Sequence, residues 1–217
     1  AILLAARSGS KRLPNKHFLQ ISKNFRIIDL CIMRLKRSKL VNRIFLCTTR
    51  NKKDKRFEQV CKKHEIDIFK GNTKNVLQRL IDCAKKNSIE IIVRVTADCP
   101  LSDPKIIDQC IKLHFQKKCD YTTNTLKLSF PDGLDVEVIN LSALIKSKKL
   151  SKGLSNKEHV TTFIRKSKFF KKYNLKNSIN YSNRRWTIDY MNDYLFLKKV
   201  YSHFSKNIFF SWKALIK

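Results

Sequence analysis

Four cations crowd one stretch near the start of the sequence, Ala5-Ala6-Arg7-Ser8-Gly9-Ser10-Lys11-Arg12-Leu13-Pro14-Asn15-Lys16. Its small residues leave backbone N–H groups open to an anion. Arg7, Lys11, Arg12 and Lys16 bring the charge that a polyphosphate needs. A solvated basic turn has the same composition. Two acids stand at comparable places further on. Asp98 follows an apolar run in Thr96-Ala97-Asp98-Cys99-Pro100, and Asp189 follows Arg185-Trp186-Thr187-Ile188. Phosphate repels a neighbouring carboxylate unless a cation stands between them. Mg²⁺ is the ion commonly held by one or two carboxylates together with substrate phosphates. Taken alone, Asp98 also fits a turn cap, and either Asp189 or Asp193 fits a helix start. Asp189 is the preferred ligand because it ends the run; Asp193 then starts the helix.

Pro131-Asp132-Gly133-Leu134-Asp135-Val136-Glu137-Val138 places Asp135 and Glu137 on one face of an expected strand. There they can meet substrate hydroxyls, although a half-exposed strand alternates in the same way. His159, on an expected helix, can touch an acidic substrate or serve the structure. The chain has no Ser–His–Asp arrangement, no H-E-x-x-H and no dinucleotide G-x-G-x-x-G.

Elements of alternating type must position these groups. After an opening strand at 1–4, helical spacing is read at 27–37, 54–63 and 75–86, and short apolar strands at 43–48, 66–69 and 89–95. Asp103 and Pro104 fit the N-cap and first position of another helix. Strand–helix alternation of this kind predicts a mostly parallel sheet with helices on both faces, which binds ligands at the carboxyl ends of its strands. The second half is less regular, a smaller β/α extension. Strands are expected at 121–125, 134–139 and 185–188, helices at 141–149, 156–166 and 192–204, and a turn at Pro131-Asp132-Gly133. The polar segment 173–181 takes no assignment. With no repeat or linker, residues 1–217 read as a single domain.

The 217 residues are 42% hydrophobic, enough for a substantial core. Lys and Arg number 47 against 17 Asp and Glu, a net charge of +30 that attracts polyanions. The excess is mostly Lys spread along the chain, so nonspecific polyanion binding is the expected consequence rather than a dedicated tail. Seven cysteines, an odd number without a C-x-x-C pair, argue against a disulfide framework or zinc cluster and for a reducing, cytoplasmic home. No apolar run is long enough for a membrane span, and no signal peptide is visible.

The stretch A-R-S-G-S-K-R-L-P-N-K resembles the opening motif of the cytidylyltransferases that make CMP-activated sugar acids. The SpsF-type spore-coat polysaccharide proteins match best, with the CMP-Kdo and CMP-sialic acid synthetases as relatives. The resemblance continues through N-V-L-Q-R (75–79), R-V-T-A-D-C-P-L-S-D-P (94–104), D-Y-T-T-N (120–124), P-D-G-L-D-V-E-V (131–138), K-E-H-V-T (157–161) and R-W-T-I-D (185–189). It implies a nucleotidyltransferase with a Rossmann-like sheet, and a homodimer. It also implies that Ala5, Ala6, Arg7, Ser8, Gly9, Lys16 and Arg79 bind the nucleotide, with Thr48, Thr49 and Thr96 near its cytosine and ribose. Asp98 and Asp189 would hold Mg²⁺, and Asp135, Glu137 and His159 would meet the sugar. Three departures stand out: Lys23-Asn24-Phe25 replaces Gly-Lys-Pro, Ala97 replaces Gly, and Tyr190-Met191-Asn192 replaces Thr-Pro-Glu.

The reaction these assignments imply is attack by a sugar-acid hydroxyl on the α-phosphorus of CTP, releasing pyrophosphate. Arg7, Lys16 and Asp98 would carry the catalysis, and no general base stands out. A phosphonate or polyol-phosphate acceptor is the alternative within enzymes. A basic nucleic-acid-binding protein is the alternative outside them.

Overall fold

The computed structural model describes residues 1–151 and 159–217. Its centre is a seven-stranded sheet built from β1 (Ile2–Ala5), β4 (Ile44–Thr49), β5 (Asp67–Gly71), β6 (Ile91–Thr96), β7 (Tyr121–Thr123), β8 (Glu137–Asn140) and β9 (Lys172–Asn174), in the order β5-β4-β1-β6-β8-β7-β9. β1 pairs in parallel with β4 on one side and β6 on the other, and β5 extends the parallel part. β8 runs antiparallel to both β6 and β7, while β9 is parallel to β7. The expected mostly parallel sheet is therefore present.

Alternating strand residues feed two cores, as the period of two requires. Ile2, Leu4, Leu46, Val93 and Val95 pack on one face against α1 (Ile27–Leu35), α2 (Arg56–His64), α4 (Pro104–Lys117), α7 (Met191–His203) and α8 (Trp212–Ile216). Leu3, Phe45, Cys47 and Ile92 pack on the other against α3 (Val76–Lys86), α5 (Leu141–Leu150) and α6 (Thr162–Lys166). All seven cysteines are free and buried, in keeping with their reading as small apolar residues.

Local caps follow the sequence. Asp103 Oδ1 accepts from the N–H of Lys105 at 2.8 Å and starts α4 with Pro104 in its first turn. Asp193 accepts from the N–H groups of Asp189 and Tyr190, both at 2.8 Å, and starts α7. Three expectations need correction. Residues 185–188 form no strand; the segment runs extended with one bridge, Asp132 to Arg185. Residues 20–26 form a small hairpin, β2 (Gln20–Ser22) and β3 (Phe25–Arg26), turning at Lys23-Asn24 where the Gly-Lys-Pro departure lies. Of the helix expected at 156–166, residues 162–166 form α6, 159–161 are bend and turn, and 156–158 lie outside the described residues.

Candidate active site

β1 is the point from which the strand order runs in both directions, and Ala5 pairs with Thr96 at its carboxyl end. Open α/β sheets bind ligands in the crevice at such a point. A cleft of about 650 Å³ lies there, lined by the basic loop (Ala5, Ala6, Arg7, Gly9), by Lys16 and Arg79, and by Thr96, Asp98, His159 and Asp189. Most of the residues singled out from the sequence thus meet in one place.

The loop is tied down from below. The N–H of Ser8 donates to Asp54 Oδ1 at 2.8 Å, and the Ser8 hydroxyl donates to the Lys53 carbonyl at 3.2 Å. Leu13 anchors the far end of the loop in the core. Asn15, in the left-handed region at φ 55°, turns the chain into the short 3₁₀ helix that carries Lys16.

Lys16 is buried, and its ammonium donates to Asp98 Oδ2 at 2.7 Å, to the Ile188 carbonyl at 2.8 Å and to Asp189 Oδ1 at 3.0 Å. The segment carrying Asp189 is held against the end of β6 by the Ile188 N–H, which donates to the Asp98 carbonyl at 2.9 Å. Burial alone would lower the Lys16 pKa, but Asp98 and Asp189 outweigh it and raise it. Burial alone would raise both carboxyls, but Lys16 holds each below the usual carboxylate range. Arg12, read from the sequence as part of the basic loop's charge, is an ion-pair partner of Asp189 at 2.6 Å.

Two carboxylates converging on one cation form a donor set of the kind that binds Mg²⁺ with substrate phosphates. Among the described residues no group of three or more metal-ligating side chains forms, which leaves any remaining positions to water and substrate oxygens. The residues present therefore fit Mg²⁺.

Arg79 lies on α3 and is 1% exposed. It donates to the Asn72 carbonyl at 2.7 Å and has no salt bridge among the described residues. Burial lowers its pKa, so a cation kept here faces the cleft at an energetic cost that an anion would offset. Gly71 makes room for it, since a Cβ there would lie 2.6 Å from Arg79 Cγ.

Other assignments change. Ser8, Thr48 and Thr49 do not line the cleft. Ser8 and Thr49 instead hold Asp54, the Thr49 hydroxyl donating to Asp54 Oδ2, and both threonines are buried in β4. Glu137 lines a neighbouring chamber rather than this cleft, and its carboxylate is already engaged. It pairs with Arg94 and accepts from Tyr121 Oη at 2.5 Å and Thr161 Oγ1 at 2.6 Å. Sequence reasoning missed His17, which lines the cleft. Its Nδ1 lies 3.2 Å from the Ala97 carbonyl, and burial pushes its pKa down to about 4, so the ring is neutral. Its place one residue after Lys16 was the available signal.

A basic loop and paired acids gathered where the strand order reverses put the chain among the α/β nucleotide-binding folds. Within that class the chain belongs to the cytidylyltransferase family, whose model matches residues 1–207. It is 32% identical over 206 residues to the uncharacterized protein MJ1063 of Methanocaldococcus jannaschii, covering 93% of this chain and 83% of that one. It is 29% identical over 208 residues to the spore coat polysaccharide biosynthesis protein SpsF of Bacillus subtilis, covering 92% and 85%. Among solved structures, a cytidylyltransferase from Leptospira borgpetersenii superposes with a TM-score of 0.94 at 35% identity, covering 99% of this chain and 91% of that one. A CMP:2-keto-3-deoxy-manno-octonic acid synthetase complexed with CTP shares the fold, with a TM-score of 0.68 at 12% identity over 93% of this chain and 98% of that one.

Proposed function

We propose that this protein transfers CMP from CTP to a hydroxyl of a sugar acid and releases pyrophosphate, in the synthesis of a surface polysaccharide or glycan. The observation that carries this reading is the convergence of Asp98 and Asp189 on one cation at the mouth of a basic cleft. A nucleic-acid backbone would be repelled by that pair, whereas a metal-bound triphosphate needs it.

Displacement at phosphorus depends on in-line positioning and charge neutralisation more than on covalent help from the protein. Arg7, Arg79 and the loop N–H groups hold the triphosphate along the floor of the cleft. Asp98 and Asp189 would hold Mg²⁺, which supplies charge neutralisation at the α-phosphate when bound. Lys16 is shared between those acids and the phosphates, offsetting charge that develops on the leaving pyrophosphate. Thr96 and His159 line the same cleft, where Thr96 would lie beside the nucleotide and His159 would meet the acceptor.

Pyrophosphate release should be measured with each of the four nucleoside triphosphates, with and without Mg²⁺, against a panel of sugar acids. Turnover with CTP and one acceptor is expected. No turnover with any acceptor, and no protection by CTP against thermal unfolding, would sink the reading.

A further inference from the structure

Transfer to a hydroxyl requires a destination for its proton. A chamber of about 270 Å³ lies beside the cleft and shares Arg94, Thr96 and His159 with it, adding Asp135, Thr161 and Arg165. It lies across Thr96 from the basic loop, because β8 pairs with β6 on the side away from β1. An acceptor entering here approaches the nucleotide from the side opposite the loop.

The carboxylates lining the two spaces differ in how they are held. Asp98 and Asp189 share the Lys16 ammonium. Glu137 accepts from Arg94, Tyr121 and Thr161, and although burial alone would raise its carboxyl, Arg94 and these hydroxyls keep it below the usual range. All three are thus poor proton acceptors near neutral pH. Asp135 differs. Among the described residues no ion pair holds it, and it lines the chamber. It keeps surface open to solvent while protein surrounds it on most sides.

We propose that Asp135 is the general base of the transfer, its carboxylate taking the proton of the acceptor hydroxyl as that oxygen attacks the α-phosphorus. The proposal rests on the cytidylyl-transfer reading above. The hydroxyl oxygen forms a new bond to phosphorus, the bond from phosphorus to the β-phosphate oxygen breaks, and its electron pair leaves on pyrophosphate. The proton passes to Asp135 and from there to water.

Its surroundings suit the task. Burial first, then the charges of Asp132 and Glu137, push the Asp135 carboxyl up to about 6, against the pull of Arg165 from α6 and the Gly133 N–H. Arg94 and His159 also line the chamber. A base works best when its pKa is near the operating pH.

The test compares the wild type with Asp135→Asn, an isosteric change that cannot take a proton. CTP and Mg²⁺ are supplied with 2-keto-3-deoxy-manno-octonic acid or N-acetylneuraminate, and pyrophosphate release is followed between about pH 5 and 8, where a base of this kind titrates. The triphosphate also titrates near pH 6, so the difference between the two profiles is the readout. D135N should lose about 10²–10⁴-fold in kcat and lose the acid limb near pH 6. Its KM for CTP and its thermal protection by CTP should stay at wild-type values. D135N that keeps wild-type kcat and the acid limb overturns the proposal. So does D135N that loses protection by CTP, which would make Asp135 part of nucleotide binding or folding. If the wild type turns over no acceptor of the panel and CTP gives it no thermal protection, the transfer reading itself fails and the assignment falls with it; loss in D135N alone cannot be confused with that outcome.

Discussion

The Lys16 ammonium lies 2.7 Å from Asp98 Oδ2, a contact that joins the end of the basic loop to the loop after β6. The same nitrogen reaches Asp189, so a cation already sits where the site would share charge with a metal. Lys16→Met should destabilise the fold by about 1–3 kcal/mol at pH 7, because two partly buried carboxylates lose their shared donor. Both acids have depressed pKa values in the folded chain. The stability they contribute is therefore complete above the ordinary aspartate pKa and lost as pH falls through their folded values. Thermal unfolding against pH should show that acid loss in the wild type and a weaker one in K16M. Mg²⁺ should raise the Tm of K16M but not that of K16M combined with Asp98→Asn.

Arg94 and Glu137 form a second internal pair, positioned by their direct register across β6 and β8. Glu137→Gln leaves a buried guanidinium without its counter-charge and should cost about 3–5 kcal/mol in denaturant unfolding. Burial alone would raise the Glu137 carboxyl, but Arg94 and the hydroxyl donors depress it. The wild type should therefore lose this stability as pH falls below the usual glutamate range, and E137Q should be flat over that window.

Asp54 reaches the loop without touching the cleft. Burial alone would raise its carboxyl, but donors from Thr49 and Ser8 hold it below the usual range. Asp54→Ala frees the Ser8 N–H and lets the loop move. The expected outcome is a higher KM for CTP with smaller protection by CTP, while kcat changes less. A binding isotherm with CTP checks this; unchanged affinity would remove Asp54 from the account.

Gly133 has φ +102°, and a Cβ there would lie 2.8 Å from backbone atoms of Trp186 and Thr187. Backbone pairing also holds this contact, with the Trp186 N–H donating to the Asp132 carbonyl at 2.7 Å. Gly133→Ala should cost about 1–3 kcal/mol from the strained backbone alone. It should also displace the segment that ends at Asp189, lowering turnover beyond what the change in Tm explains.

These contacts show what the sequence could and could not convey. Lys16, Asp98 and Asp189 were legible because each sits at a loop next to a strand or extended run, where α/β sheets place ligands. Thr48 and Thr49 were assigned through the family resemblance alone, and neither lines the cleft. β4 is paired on both sides, by β1 and β5, so its end is buried, with the Thr49 hydroxyl turned to Asp54. Alternation placed Asp135 and Glu137 together but could not show that Arg94, Tyr121 and Thr161 saturate Glu137, because those partners arrive from β6, β7 and the segment before α6. The segment 185–188 has a strand's composition, yet it meets the Asp132 turn at a single bridge instead of a ladder. The Arg12 pairing with Asp189 spans the whole chain and leaves no local pattern.

The central claim is that CTP is split at its α-phosphorus by a site built on Asp98 and Asp189. Phosphorus NMR of a reaction with CTP, Mg²⁺ and the accepted sugar acid tests it most directly. Pyrophosphate and a CMP phosphodiester should form in equal amounts, with neither detectable for Asp98→Asn while that variant stays folded at the assay temperature. Release of inorganic phosphate instead, or undiminished product from D98N, would contradict it.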